Sequence, residues 1–455
     1  MATNTVHLEE LAYSPDSCVL FDRIRDLPGA AFLDSASPFT DRGRFDVLVA
    51  DAVPGGIAPL PNSGDESSVT AWFEEVRSVL EGTLGEVNPV AEELPFCGGI
   101  LGTLDYDAGQ ALNRVPAHPG ADGSTANAQV YRWAVVQDHL RRKSVLATLP
   151  LVGPCERTDL LKRLRLPART RAEQFTLLSP FSSNMDDQDY RSAFARIQAY
   201  IQAGDCYQVN LAQRFSSRFE GDPWAAYKRL RAVAAAPFSA YLENETGAVL
   251  SLSPERFLSL HGHRVETSPI KGTRPRYDNR RQDEAARHEL RASDKDRAEN
   301  LMIVDLLRND LGRTCTPGSI HVDRLFEIQS FPTVHHLVST ISGELAPGLT
   351  GADLLQHAFP GGSITGAPKR RAMEIIAELE PHARQMYCGS VFYLSADGRM
   401  DSNIAIRTLL CQDNDIHCWG GGGIVADSEW QLEYQETYDK VGAFLSTLED
   451  QSTSE

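Results

Sequence analysis

Short apolar runs recur through the first part of the chain, FDVLVADAV at 45–53, AQVYRWAVV at 128–136 and KSVLATLPLV at 143–152. Each has the length of a buried or half-buried strand. Between them, WFEEVRSVLEGTLGEV at 72–87 spaces its apolar residues for a helix, so residues 1–150 read as a mixed α and β region. From 151 to 186 the pattern turns polar and irregular, through LVGPCERTDLLKRL, LPARTRAEQF and LLSPFSSNMDD, which predicts a connecting region. A helix then starts at Asp186 or Asp187, sets Tyr190, Phe194, Ile197 and Ile201 on one face, and closes at Gly204. Beyond it, CYQVNLAQRFSSRF, AYLEN, AVLSLSPERFLSL and RVETSPI read as strands with few βαβ alternations. The expectation is an α+β, largely antiparallel catalytic domain over 187–447.

Charge narrows the partners. The 455 residues carry 62 acids against 44 Lys plus Arg, a net charge of −18. That balance repels phosphate backbones and anionic headgroups, and no basic run reverses it, so nucleic acid and membrane surfaces are not expected ligands. No stretch of eighteen apolar residues occurs and the N-terminus lacks a signal-peptide pattern, which points to a cytoplasmic protein. The eight cysteines are scattered without a CxxC, as expected of reduced core thiols rather than a zinc site or disulfide framework.

Several strings carry candidate chemistry. In SDKDRAENLMIVDLLRNDLG, Asp296, Glu299, Ile303 and Leu306 share one helical stripe. In SEWQLEYQETYDKVGAFL, Glu433 and Glu436 stand beside an apolar stripe of Trp430, Tyr434, Val441 and Leu445. Two helices each presenting two acids suit a hard divalent cation such as Mg²⁺; solvated helix faces are the alternative. The glycine-rich strings FPGGSITGAPK and WGGGGIVADS allow a ligand close to the backbone, or are tight turns. Arg407, read in a strand of alternating residues, suits a carboxylate ligand or an ion pair. His336 and Tyr393 are equally compatible with core burial. In TSPIKGTRPR, Lys271 ends a strand-like run, where desolvation can make its amine a nucleophile, and Glu255 in SLSPERF offers a proton donor.

Together GDCYQVNLAQRF, LSLSPERF, PIKGTRPR, DRAENLMIVDLLRND, HHLVSTI, FPGGSITGAPK, MDSNIAIRTL, GGGIVADS and EYQETYDK resemble the chorismate-utilising enzymes, a family that includes anthranilate, isochorismate, salicylate and aminodeoxychorismate synthases. The resemblance covers nearly the whole chain. It implies two large, mostly antiparallel sheets packed together and flanked by helices. It assigns Mg²⁺ to Glu299 and Glu436, with Asp296 and Glu433 assisting; Asp296 is a departure, since several relatives have Glu there. It gives the substrate carboxylates to Arg407, Tyr393, Thr365, Gly366, the backbone of Gly421, Gly422 and Gly423, and Lys440, with His336 near the ring.

PIKGT resembles the branch that forms aminodeoxychorismate for p-aminobenzoate and folate. There the lysine, here Lys271, attacks ring C2 as the C4 hydroxyl leaves, Glu255 protonating it, and ammonia then displaces the lysine by adding at C4. Anthranilate synthases carry Ala in place of that Lys, and water-adding members carry Lys in place of Gln208. The chain has no amidotransferase-like Cys elbow, so a glutamine amidotransferase partner is expected to supply ammonia. The rival readings are an anthranilate synthase and a catalytically silent chorismate-binding subunit. Finally, LDSAS (Leu33, Ser35), RGRF (Arg42, Gly43, Arg44, Phe45) and APFSAY (Pro237, Phe238, Ser239) resemble the tryptophan pocket of relatives; a packed inter-sheet core is the alternative.

Overall fold

Two antiparallel sheets carry the site. A computed structural model describes residues 5–36, 43–61, 65–82, 87–88, 93–118, 124–167, 174–244, 247–331 and 334–450. In the first sheet the strands run in the order His7–Leu11, Lys143–Thr148, Trp133–Asp138, Phe45–Val49, Ala31–Asp34, Phe238–Asn244, Gly247–Ser253, Thr408–Gln412, Asp415–Ile424, Gln208–Gly221 and Ser182–Ser183. The second runs Ile270–Pro275, Val334–Glu344, Arg264–Thr267, Arg256–His261, Met400–Asn403, Ser390–Ser395, Gly99–Leu104, Ser124–Tyr131 and Leu60–Pro61. The α+β, antiparallel expectation is met.

Strands from the first 150 residues complete both sheets: Ala31–Asp34 pairs with Phe238–Asn244, and Gly99–Leu104 pairs with Ser390–Ser395. Side-chain alternation divides the core. Ala31, Val47 and Val49 join the larger apolar cluster with residues of the second sheet, whereas Phe32 and Leu48 join another with Trp224, Tyr227 and Phe444. The 151–186 segment is more regular than its polarity suggests. Pro154 opens a helix to Arg165, with Glu156 in its first turn and Lys162, Arg163 and Arg165 in its last, charges matched to the helix dipole. The helix Asp187–Gln202 starts as expected, Asp186 and Asp189 forming a reciprocal cap. No described helix is long and apolar enough to cross a membrane.

Candidate active site

Lys271 lies on the strand Ile270–Pro275, whose pairing with Val334–Glu344 shifts register between Ile270 and Thr273. Such a bulge re-aims side chains. Gly272 makes it possible: its φ is +86°, and a Cβ there would come within 2.9 Å of the Asp296 carboxyl carbon. The Lys271 Nζ donates to the Ser363 carbonyl at 2.9 Å, while the Ser363 hydroxyl donates to Glu255 Oε1 at 2.9 Å. One serine, in the short turn Gly362–Ile364, therefore stands between amine and acid.

Burial drives both groups toward neutrality. Desolvation lowers Lys271 below the usual ammonium range, opposed by Glu255 and Glu299. Desolvation raises Glu255 above the usual carboxyl range, opposed by Lys271 and the Ser363 hydrogen bond. These are the directions in which nucleophilic attack with leaving-group protonation needs an amine and an acid to move.

Arg407 departs from its expected setting. It lies not in a strand but in the bend between Met400–Asn403 and Thr408–Gln412, in the left-handed region at φ 50°. Its guanidinium makes no hydrogen bond or ion pair with described residues, and burial alone lowers its pKa. A half-buried, unpaired guanidinium is a receptor for an anion. His336 lies nearby, buried, with Nδ1 2.8 Å from the Thr273 hydroxyl. Desolvation, helped by Arg407 and His335, pushes it down to about 3, so the ring is neutral at working pH.

The acids come from two helices, Asp294–Leu311 and Trp430–Glu449. Burial raises Glu299, with Asp296 and Glu433 adding repulsion, and raises Glu433, with Glu436 adding more. Burial also works on Glu436, yet its pKa is lowered overall because Lys440 Nζ stands 2.6 Å away. Glu433 accepts from the Ser428 hydroxyl at 2.6 Å. Asp296 instead pairs with Arg274 at 3.1 Å. Among the described residues no group of three or more His, Cys, Asp or Glu is arranged to hold a metal ion. Glu433 nevertheless adds repulsion to Glu299 and Glu436 to Glu433, and three such hard oxygen donors fit Mg²⁺, which binds through one or two carboxylates and keeps sites for water and substrate oxygens.

The glycine strand Asp415–Ile424 packs against the helix Trp430–Glu449. A Cβ on Gly422 would stand 3.0 Å from Glu433 Oε2, one on Gly421 2.8 Å from the Tyr387 hydroxyl, and one on Gly423 2.8 Å from Gln208 Nε2. The Gly421 carbonyl accepts from Lys440 at 2.7 Å. Gln208 is fully buried, and neither amide atom has a partner among the described residues. The Thr365 hydroxyl turns back to the Gly361 and Gly362 carbonyls, and Gly366, at φ +149°, abuts the Gln208 carbonyl, where a Cβ would come within 2.1 Å.

Two site residues escaped the sequence reading. Ser363 sits inside a quoted motif, but its double contact exists only in three dimensions. Tyr387, buried and stacked on Trp419, has no local pattern to mark it. Tyr393, expected among the carboxylate-binding groups, is placed elsewhere. Its strand registers it opposite Leu101 and Asp401, and its charged neighbours are Asp401, Arg256, Asp397 and Arg399.

Tyr393 lines an inter-sheet cavity of about 380 Å³ together with Leu33, Arg44, Phe45, Pro237, Phe238 and Ser239. These are six of the residues named for a tryptophan pocket. Ser35 instead donates to Asp46 at 2.6 Å, Gly43 packs against Ser35 and Pro237, and Arg42 lies outside the described residues.

Residues 61–446 match the model of the chorismate binding enzyme family. The chain is 45% identical to aminodeoxychorismate synthase component 1 of Klebsiella aerogenes, covering 96% of this chain and 98% of that one. It is 45% identical to the protein of the same name from Escherichia coli K12, over 94% and 95%. Among solved structures, anthranilate synthase component I from Streptococcus pneumoniae TIGR4 superposes with a TM-score of 0.72 at 28% identity, over 96% of this chain and 92% of that one.

Proposed function

The chain belongs to the chorismate binding enzyme family, and from that premise we propose that it converts chorismate and ammonia to 4-amino-4-deoxychorismate, as an aminodeoxychorismate synthase component 1. One observation carries this reading: the Lys271 amine and the Glu255 carboxyl, both desolvated toward neutrality, meet at Ser363. Near full-length identity to proteins named for that activity supports it.

In the proposed reaction the neutral Lys271 amine forms a bond to ring C2, the ring double bonds shift, and the C4–O bond breaks. Glu255 gives its proton to the departing oxygen, which leaves as water, and takes back the proton shed by the alkylated amine. Ammonia then bonds at C4, the double bonds return, the C2–N bond breaks as Glu255 protonates the leaving lysine, and the ammonium formed at C4 returns a proton to Glu255. Arg407 receives a substrate carboxylate, and the Gly421–Gly423 backbone, over which the Tyr387 hydroxyl stands, offers a second place for one. Neutral His336, tied to Thr273, adds no charge to the ring's surroundings. Glu299 and Glu436, with Glu433, would hold Mg²⁺, which when bound supplies positive charge to the substrate carboxylate. Asp296, held by Arg274, would take the more distant role.

Ammonia would come from a glutamine amidotransferase subunit, as the name component 1 in the relatives suggests. The inter-sheet cavity suits L-tryptophan in size and in its aromatic and ionic lining. The deciding experiment incubates the chain with chorismate, Mg²⁺ and ammonium and identifies the product by mass and fluorescence. Aminodeoxychorismate is expected; anthranilate as sole product would refute the assignment.

A further inference from the structure

Arg384 is among the largest fully buried side chains. It follows the helix Lys369–Leu379 and belongs to none of the site's motifs. Its Nε and Nη2 grip Glu380 at 2.9 and 2.6 Å, Nη1 donates to the Ile364 carbonyl at 2.9 Å, and Nη2 also donates to the Asn210 carbonyl at 2.9 Å. Glu380 in turn accepts the Ala212 N–H at 2.8 Å, and the Asn210 N–H donates to the Thr365 carbonyl at 2.8 Å. The guanidinium lies over the rings of Tyr106 and Tyr387, 4.8 and 5.7 Å from their centroids. One cation therefore joins the turn Gly362–Ile364 to the strand Gln208–Gly221 and underlies the tyrosine that stands over Gly421.

We propose that Arg384 is a positioning residue: by fastening the Ile364 carbonyl to the strand at Asn210, it fixes Ser363, and through Ser363 the separation of Lys271 from Glu255. This rests on the roles proposed for those two residues. The Ser363 carbonyl that holds the amine and the Ile364 carbonyl that Arg384 holds are successive groups of one three-residue turn, so a shift in one moves the other. The planar fork is essential, because three acceptors in different directions cannot be met by a point charge on a flexible stem. A buried ion pair needed only for folding would require the Glu380 contact and neither carbonyl.

The test compares Arg384→Lys, which keeps the charge against Glu380 but loses the fork, with Arg384→Gly, assayed with and without methylguanidinium in the full chain. For Arg384→Lys the expected result is a kcat lower by about tenfold to a hundredfold, with KM for chorismate within about threefold, as a displacement of about 1 Å in a reacting group would produce. For Arg384→Gly, methylguanidinium should restore kcat at least about tenfold and methylammonium should not. A kcat for Arg384→Lys within about twofold of the parent overturns the proposal, as does equal rescue by the two amines. Should both variants fail to fold, Glu380→Gln decides: its amide offers one oxygen where the carboxylate offers two, so Nε or Nη2 loses its acceptor and the fork tilts, and a kcat loss of about threefold or more at unchanged KM is required, its absence overturning the proposal. Rates are compared on whatever product the parent makes, so failure here leaves the substrate assignment standing, and an unexpected product leaves this comparison intact.

Discussion

Two half-buried arginines mark the difference between the candidate active site and the inter-sheet cavity. Arg256, in the cavity wall, is held bidentately by Asp401 at 3.0 and 2.8 Å, and its pKa is raised although desolvation works against it. Arg407, beside His336, has no partner among the described residues, and desolvation lowers it. The contrast extends to their neighbours. Around the cavity, Arg44 pairs with Asp138 and Arg399 with Asp397. Around Lys271, an amine, an acid and several carboxylates are desolvated with their charge only partly answered. Paired charge holds a wall in place, whereas unanswered charge stores a preference for something that arrives.

The largest effect that tests this contrast falls on Lys271. Lys271→Ala should lower aminodeoxychorismate formation by on the order of a thousandfold or more and abolish any chorismate-derived mass on the intact protein. An adduct persisting in the variant would remove Lys271 from the nucleophile's place. Next come the two arginines themselves. Arg407→Met should raise KM for chorismate about 30- to 100-fold, the equivalent of a charge-assisted contact of about 2–3 kcal/mol, with little change in denaturant midpoint. Arg256→Met should do the reverse, lowering stability by roughly 1–3 kcal/mol because Asp401 loses its partner, with KM within about threefold. If both variants moved KM alike, the distinction between the regions would collapse.

The acids permit a finer comparison. Glu299→Gln and Glu436→Gln should weaken Mg²⁺ binding, read by calorimetry or by thermal protection, by about tenfold or more. Asp296→Asn should weaken it less, because that carboxylate is committed to Arg274. Equal losses at all three would place Asp296 at the ion.

How much of this was legible in the sequence depends on how local each feature is. Lys271, Glu255, Glu299 and Glu433, to which the proposal gives the chemistry, stand in short strings whose residue types suggest it, and the cap at Asp186 is written within four residues. The α+β class followed from run length and the scarcity of βαβ alternation. What was lost depends on partners far away in the chain. Arg407 sits in a left-handed bend because the backbone turns between two strands, whereas alternation alone implied a strand. Tyr387 and Tyr393 are six residues apart, yet Tyr387 stands over the glycine strand from a turn while Tyr393 faces the cavity from the strand Ser390–Ser395, and only the tertiary fold separates the two. The helix Pro154–Arg165 was hidden by its polarity, since just Leu160 and Leu164 are buried on it.

A pH dependence also separates the regions. His336 is held neutral in the fold, with its pKa depressed from 6.5 to about 3, so between those values the unfolded chain binds a proton that the folded chain does not. Its contribution is complete above about pH 6.5 and lost as pH falls toward 3, at up to about 1.4 kcal/mol per pH unit. His336→Gln should flatten that part of the stability profile measured by urea unfolding. An unchanged acid slope would mean that the ring is protonated in place.

The last comparison belongs to the cavity. If its paired charges shape a receptor for an amino acid, L-tryptophan at a hundredfold excess over its dissociation constant should add about 2.7 kcal/mol to stability, a shift of a few degrees in the thermal midpoint. Ser239→Trp, which fills part of the cavity that Ser239 lines, should remove that shift. Glycine or L-alanine should give none, because they leave the volume between Phe45, Phe238 and Tyr393 unfilled. A shift of equal size with L-alanine would assign the effect to the charged wall rather than to the aromatic space, and the cavity would then recognise an amino-acid backbone without selecting its side chain.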